Sequence, residues 1–192
     1  MFGIEEWNAG TTTGVPQLLC PAEPVAHWEG INVPSSGRIV ESDFRSSGNL
    51  KDPATDYDLA CSIAMLPQEA GLITVGQGKA LVVCGEIPFA AWLPANSFLG
   101  GYILVPEFWT KTEADCQAIL LGIEDAAYSN TGLALTSTGL GFMLFAATDC
   151  STDSDFENIH ADCPAGIYGV ATHVYDAPDF QLRIIRLEQL LE

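Results

Sequence analysis

The alternation of apolar and polar positions predicts a chain built mainly from short strands. GLITVGQGKALVVCG, residues 71–85, holds two β-rich runs separated by a Gly-Gln-Gly-Lys turn, which is a hairpin pattern. GLALTSTGLGFMLFAAT, residues 132–148, predicts a second hairpin. GIYGVATHVYDAPDFQLRIIRLEQ, residues 166–189, predicts a third hairpin that turns at Asp-Ala-Pro-Asp.

Two further stretches predict single strands. GVPQLLCP, residues 14–21, supplies one short strand, and GGYILVPEFW, residues 100–109, supplies another. Proline cannot donate a hydrogen bond to a neighbouring strand, so Pro106 predicts an edge position or a bulge for the second strand.

Two segments have helical spacing and polar N-caps. In TDYDLACSIAML, Thr55 is a candidate N-cap with Asp58 three residues later, which predicts a helix from 56 to about 65. TKTEADCQAILLGIEDA, residues 110–126, begins at a threonine and carries acids in its first turn, where the helix dipole favours them. The residues expected to face a core from this second helix are Ala118, Leu120, Leu121 and Ile123.

These elements predict an α+β fold in a single domain spanning residues 1–192. Its main part is a mostly antiparallel sheet of six or more strands, built from hairpins, with about two helices packed on it. The segment at about 31–55 is rich in Pro, Gly and Ser and predicts a long mobile loop. There is no βαβ alternation with a Gly-rich phosphate loop, which disfavours a nucleotide-binding fold.

The charge balance excludes several kinds of partner. The chain has 25 Asp and Glu against 7 Lys and Arg, a formal charge of -18. Such a surface repels nucleic acid phosphates and anionic lipid headgroups, so neither direct nucleic acid binding nor membrane binding is expected. It attracts basic surfaces and accelerates their association. Colloidal solubility is the alternative explanation for the acidity taken alone.

The N-terminus and the cysteines indicate a cytoplasmic protein. Glu5 and Glu6 stand where a secretory signal would carry lysine or arginine, and no stretch approaches the length of a membrane span. In a reducing compartment, dispersed cysteines are expected to be buried thiols rather than disulfides. They are Cys20, Cys61, Cys84, Cys116, Cys150 and Cys163.

The most acidic segment is TDCSTDSDFENIHADC, residues 148–163. It can be interpreted as a metal loop, as a loop closed by a Cys150–Cys163 disulfide, or as an anionic surface for a cationic partner. A calcium-binding EF-hand loop counted from Asp153 fails, because Asn158 occupies the central glycine position and Pro164 the closing acidic position. His160 and Cys163 lack a second pair of zinc ligands at comparable spacing. The candidate contact residues for a cationic partner are Asp149, Asp153, Asp155, Glu157 and Asp162.

Catalytic motifs are missing from the sequence. It has no Gly-x-Ser-x-Gly elbow, no His-Glu-x-x-His and no cysteine in an electropositive setting, so no enzyme activity and no cofactor are expected. Trp28 and Trp92 lie beside Gly and Pro, where a turning chain would expose them to a partner. The alternative is that both tryptophans are core anchors.

Several segments, read in order, resemble the immunity protein 21 family of bacterial polymorphic toxin systems. The resemblance is carried by DYDLAC (56–61) and GLITVGQGKALVVCGEIPFAAWLP (71–94), its most specific parts. It also includes Trp7 with GVPQLLCP, HWEG (27–30), GGYILVPEFW (100–109) and the closing GIYGVATHVYDAPDF with LRIIRLE. The segment from Ile31 to Thr55 resembles an insertion into the family pattern.

The resemblance implies a small cytosolic antidote that binds and blocks a cognate toxin domain and has no chemistry of its own. A toxin that cleaves nucleic acid presents a cationic cleft, which an acidic protein can occupy as a mimic. Besides the five acids of 148–163, the expected contact residues are Trp28, Glu86 and Trp92. The alternative function is a metal-binding or hydrolytic protein that uses the acidic 149–163 loop with His160.

Overall fold

The computed structural model describes residues 10–11, 15–31, 55–64, 69–84, 89–106 and 112–191. Most of the predicted loop at 31–55, residues 32–54, and also Glu86 lie outside the described residues. Within them the helices are α1 (Asp56–Ala64), α2 (Glu113–Leu121) and two short 3-10 helices at Pro24–His27 and Asp125–Ala127. The strands are β1 (Gly10–Thr11), β2 (Gln17–Pro21), β3 (Ala70–Val75), β4 (Gly78–Val83), β5 (Ala90–Pro94), β6 (Gly100–Pro106), β7 (Ser129–Ser137), β8 (Phe142–Ala146), β9 (Asn158–Ala161), β10 (Gly166–Ala177) and β11 (Phe180–Gln189).

The strands form two antiparallel sheets. The six-stranded sheet has the order β1-β5-β6-β11-β10-β7, and the five-stranded sheet has the order β3-β4-β2-β8-β9. The predicted α+β class, with a mostly antiparallel architecture and two helices, is confirmed, but the strands form two sheets where the sequence predicted one. Neither α-helix of the described residues has the length and apolar sequence needed to cross a membrane.

The main core lies between the two sheets. Leu19 and Leu81 of the five-stranded sheet meet Ile103 and Ile185 of the six-stranded sheet in one buried cluster. Each sheet is also covered on part of its outer face by a helix, α1 on the five-stranded sheet and α2 on the six-stranded sheet. Strands with both faces covered are apolar at consecutive positions, which explains runs such as ALVV in β4.

Two of the three predicted hairpins form as expected. Strands β3 and β4 pair up to Val75 and Gly78, and Gly76 turns between them with a φ of 55°. Strands β10 and β11 pair up to Ala177 and Phe180, so the turn falls at Pro178–Asp179 inside the predicted Asp-Ala-Pro-Asp. In both cases the turn residues in the sequence specify the connection.

The second predicted hairpin is wrong. Strand β7 pairs with β10 in the six-stranded sheet, whereas β8 pairs with β2 and β9 in the five-stranded sheet. The connection contains Gly139 and Gly141 with φ values of 111° and 73°, which carry the chain from one sheet to the other. Leu135 and Phe142 therefore enter the same core from opposite sheets.

The prediction for Pro106 is also wrong. Strand β6 is internal, between β5 and β11. Pro106 is nevertheless tolerated because it ends the strand, beyond Leu104, the last residue that pairs with β5.

Helix α1 has the predicted start, whereas α2 is capped two residues after the threonine that opens its predicted segment and buries a different face. The Asp58 amide donates to Thr55 Oγ1 at 3.1 Å at the start of α1. Thr112 and Asp115 form a reciprocal capping box at the start of α2. Cys116 is the buried residue of α2, and Leu121 is 90% exposed, contrary to the prediction for that side chain. Ala118 is exposed as well, whereas Leu120 and Ile123 pack partly against the sheet as predicted.

Candidate functional site

The acidic segment has two structural parts. Residues 148–157, here called the acidic ribbon, connect β8 to β9 without regular secondary structure. The following residues form β9, which pairs with β8 at the edge of the five-stranded sheet. The sequence predicted a loop over this entire stretch, so β9 is a correction to that prediction. Its alternation of exposed Asn158 and His160 with buried Ile159 and Ala161 is typical of an edge strand with one covered face.

The acidic ribbon is anchored to the core by its uncharged residues. The backbone amide and hydroxyl of Ser151 both donate to the Trp28 carbonyl, at 3.0 and 2.9 Å. The ring of Phe156 packs edge-on against Phe145, with centroids 5.1 Å apart. These contacts fix the path of the ribbon, while the side chains of its central acidic residues point to solvent. The exposed acids are Asp153, Asp155 and Glu157.

Asp149 lies at the base of the ribbon and is half-buried. Burial raises the pKa of its carboxyl, and the hydroxyl of Thr148, which donates to Asp149 Oδ1 at 3.1 Å, acts in the opposite direction. The charges of Glu157, Asp155 and Asp153 raise that pKa further. The exposed acids therefore produce a negative potential at the base of the ribbon.

A second carboxylate, Asp56, lies at the first residue of α1 and is 7% exposed. Its Oδ2 accepts a hydrogen bond from the Glu29 amide at 2.9 Å. Burial raises the pKa of Asp56 to about 6; the hydrogen bond opposes this shift and the nearby Glu29 charge adds to it. Glu29 also approaches the Cys150 thiol of the ribbon, at 3.4 Å. Glu29 and the buried Asp56 thus place two further acids beside the ribbon that the sequence did not identify.

The arginines of β11 are engaged with groups away from the ribbon. Arg183 Nη1 donates to the Cys84 carbonyl at 2.6 Å. Arg186 donates to Asp125 and to Glu188, both at 2.6 Å. Arg183 Nη1 also lies 3.6 Å from Glu69 Oε2, so both arginines are paired with acids outside the ribbon.

The metal and disulfide interpretations find no support in the described part of the chain. Among those residues, no group of three or more His, Cys, Asp or Glu side chains is placed to hold a metal ion. Cys150 and Cys163 are both buried free thiols. Burial raises the pKa of Cys163 to about 11, which suppresses its thiolate form at neutral pH.

His160, the histidine of the hydrolytic alternative, has both ring nitrogens engaged. Its Nε2 lies 2.9 Å from the Leu140 carbonyl, and its Nδ1 lies 3.3 Å from an Asp162 carboxylate oxygen. A carbonyl oxygen only accepts hydrogen bonds, so Nε2 is the donor in that contact. A general base needs a nitrogen lone pair directed at a substrate, and this arrangement does not offer Nε2 for that task.

A groove lies at the other end of β9 from the ribbon. It has a volume of about 580 Å³ and is formed by the end of β5, by α2 and by the end of β9. The residues that line it are Trp92, Leu93, Pro94, Ala95, Asn96, Ser97, Tyr102, Glu113, Gln117, Leu120, Leu121, His160 and Asp162. Its walls carry both apolar and polar side chains, and its carboxylates belong to Glu113 and Asp162.

The structure separates the residues predicted to contact a partner into distinct places. Asp149, Asp153, Asp155 and Glu157 come together in the acidic ribbon, whereas Asp162 and Trp92 meet at the groove. The prediction of Trp28 as a contact residue is wrong, because its ring is 1% exposed and its Nε1 donates to the Ala147 carbonyl at 3.3 Å.

Trp92 is likewise a core residue, 6% exposed, but part of its surface reaches the groove wall. The core-anchor alternative therefore describes both tryptophans. Trp92 pairs with Ile103 of the next strand, and α2 and the end of β9 complete the groove around it.

Comparisons of the chain with protein-family models, with curated proteins and with solved structures found no match.

Proposed function

We propose that this protein is a cytosolic immunity protein that neutralises a cognate toxin domain by stoichiometric binding to a basic surface of that domain. The observation that carries the proposal is the acidic ribbon, which holds Asp153, Asp155 and Glu157 in solvent on a path anchored to the core. The sequence resemblance to the immunity protein 21 family agrees with such a role.

The anchoring matters because ordering a flexible loop on binding reduces affinity. A ribbon that is already held by Ser151 and Phe156 brings its carboxylates to a partner with less entropy loss. A toxin that acts on nucleic acid needs a cationic cleft for phosphates, and a fixed row of carboxylates is complementary to such a cleft. Binding would then block the cleft without any reaction.

Calorimetric titration with the toxin domain encoded by the adjacent gene tests the proposal. We expect a one-to-one complex whose affinity falls between low and moderate salt, because screening weakens attraction between opposite charges. Absence of binding at both salt concentrations would contradict the proposed function.

Charge reversal tests the role of the ribbon. The double variant Asp153→Lys with Asp155→Lys should weaken the complex by about a hundredfold or more, since losing one partner of a close interfacial charge pair costs about 2–5 kcal/mol. The matched control is Glu23→Lys with Glu124→Lys, which makes the same charge change at two exposed acids outside the ribbon. If both double variants lose affinity equally, net charge governs binding and the ribbon is not the contact surface.

A further inference from the structure

We infer that the groove between α2 and β9 is a second docking site, which takes an aliphatic side chain flanked by lysine or arginine. This inference rests on the proposed function for the identity of the partner, a toxin domain that contacts the ribbon at the same time. The structure contributes two features to it: an exposed apolar wall and a rim whose charged side chains are acidic.

The apolar wall includes one strongly exposed leucine. Leu121 is 90% exposed at the last position of α2, and it lies in the groove with Leu120 and Leu93. Burying a leucine side chain against such a wall is favourable by about 1.5–3 kcal/mol. An aliphatic side chain of the partner would therefore gain affinity here that a polar side chain would not.

The rim determines the charge of the occupant. Glu113 and Asp162 are the acidic residues of the groove, and neither lysine nor arginine occurs among the described residues that line it. The Asp162 side chain is fully exposed. A cationic segment matches this rim, whereas an anionic segment is repelled by it.

The position of β9 relates the groove to the ribbon. Asn158 begins β9 directly after the ribbon, and Ala161 ends it directly before Asp162. Four residues of extended chain cover about 13 Å, well within the width of a standard protein interface. One partner can therefore touch the ribbon with one part of its basic surface and fill the groove with another.

Two short synthetic peptides test the groove without a toxin domain. One alternates lysine and leucine, and the other has the same length and charge with serine at every leucine position. We expect the wild-type protein to bind the leucine peptide at least about tenfold more tightly, because about 1.4 kcal/mol corresponds to a factor of ten. Leu121→Ser should remove most of this preference, whereas Leu191→Ser, at a leucine that is 97% exposed outside the groove, should retain it.

Asp162→Asn tests the charged rim. This substitution should weaken the binding of both peptides and reduce the salt dependence of their affinities. Glu124→Asn, at an exposed acid outside the groove, should change binding less. An unchanged leucine preference in Leu121→Ser would overturn the inference.

Titration of the toxin domain with the same variants separates this inference from the proposed function. If the domain binds the wild type and Leu121→Ser equally but fails to bind the ribbon variant, the proposed function stands and the groove is excluded. If the domain does not bind while the leucine peptide still requires Leu121, the groove remains a docking site and the toxin partner is excluded.

Discussion

Replacing Asp56 by asparagine should make the protein more stable at neutral pH. Asp56 is 7% exposed, and its carboxylate accepts a hydrogen bond from the Glu29 amide. Asparagine keeps an oxygen acceptor of similar shape for that amide. The substitution also removes the negative charge that ionised Asp56 carries in its buried position beside Glu29.

The pKa of Asp56 sets the size and the pH range of the effect. Burial raises this pKa from 3.8 to about 6. The difference corresponds to about 3 kcal/mol as an upper limit, and solvent screening lowers the expected value to about 1–2 kcal/mol. The pKa of Asp56 is higher in the folded state than in the unfolded state, so protonated Asp56 contributes to the free energy of unfolding. This contribution is fully present below about pH 4 and is lost as the pH rises through about 6.

Urea unfolding at a series of pH values from about 4 to 8 measures the effect. We expect Asp56→Asn and the wild type to have similar free energies of unfolding at pH 4. At pH 7.5 the variant should be more stable by about 1–2 kcal/mol. The control is Asp153→Asn, which makes the same chemical change at an exposed acid of the ribbon. Parallel pH profiles for the wild type and Asp56→Asn would refute the assignment of this titration to Asp56.

Three further substitutions test the packing around the site by urea unfolding. Gly30 has a φ of 56° and an added Cβ would collide with the backbone carbonyls of 148–149, so Gly30→Ala should cost about 1–3 kcal/mol. Gly132→Ala, also at positive φ but in open space, should cost less, and equal losses would contradict the collision. Thr112→Ala should cost about 1 kcal/mol by removing the α2 cap, with faster amide exchange in the first turn of α2 as the local check. Trp28→Phe leaves the Ala147 carbonyl without its indole donor and should cost about 1–3 kcal/mol; an unchanged stability would show that this hydrogen bond contributes nothing.

Local sequence signals predicted the elements whose limits are set by a few neighbouring residues. The Thr55 cap, the Gly76 turn and the turn at Pro178–Asp179 all lie where the sequence indicated. The α2 cap is the second threonine of the predicted segment, Thr112, rather than the one that opens it. Each is determined by side chains or backbone angles within about four positions, so a single sequence suffices to find it.

Strand pairing across the chain was not predictable in the same way. Strands β7 and β8 have the pattern of a hairpin, but their hydrogen-bonding partners lie in two different sheets. The partner of each strand depends on distant residues, and alternation alone does not encode it. For the same reason the sequence did not predict that Asp56 and Glu29 lie near the ribbon, or that Trp92 and Leu121 line one groove.

The acidic ribbon was recognisable from composition, whereas its anchoring was not. Asp153, Asp155 and Glu157 stand out in a stretch without basic residues. Nothing in the local sequence marks Phe156 and Ser151 as anchors, because the groups they contact, the Phe145 ring and the Trp28 carbonyl, lie outside the ribbon.

The place of β11 in the six-stranded sheet has a consequence for the kinetics of folding. It is the last of the described strands in chain order, yet it lies between β6 and β10 inside that sheet. Its pairing with β6 closes a loop of roughly 80 residues, and contacts over such separations slow folding. During synthesis, the six-stranded sheet stays in two parts until Phe180–Gln189 has left the ribosome. We therefore expect a delay between translation and the first fully folded molecule, during which the open edges of β6 and β10 are exposed to aggregation.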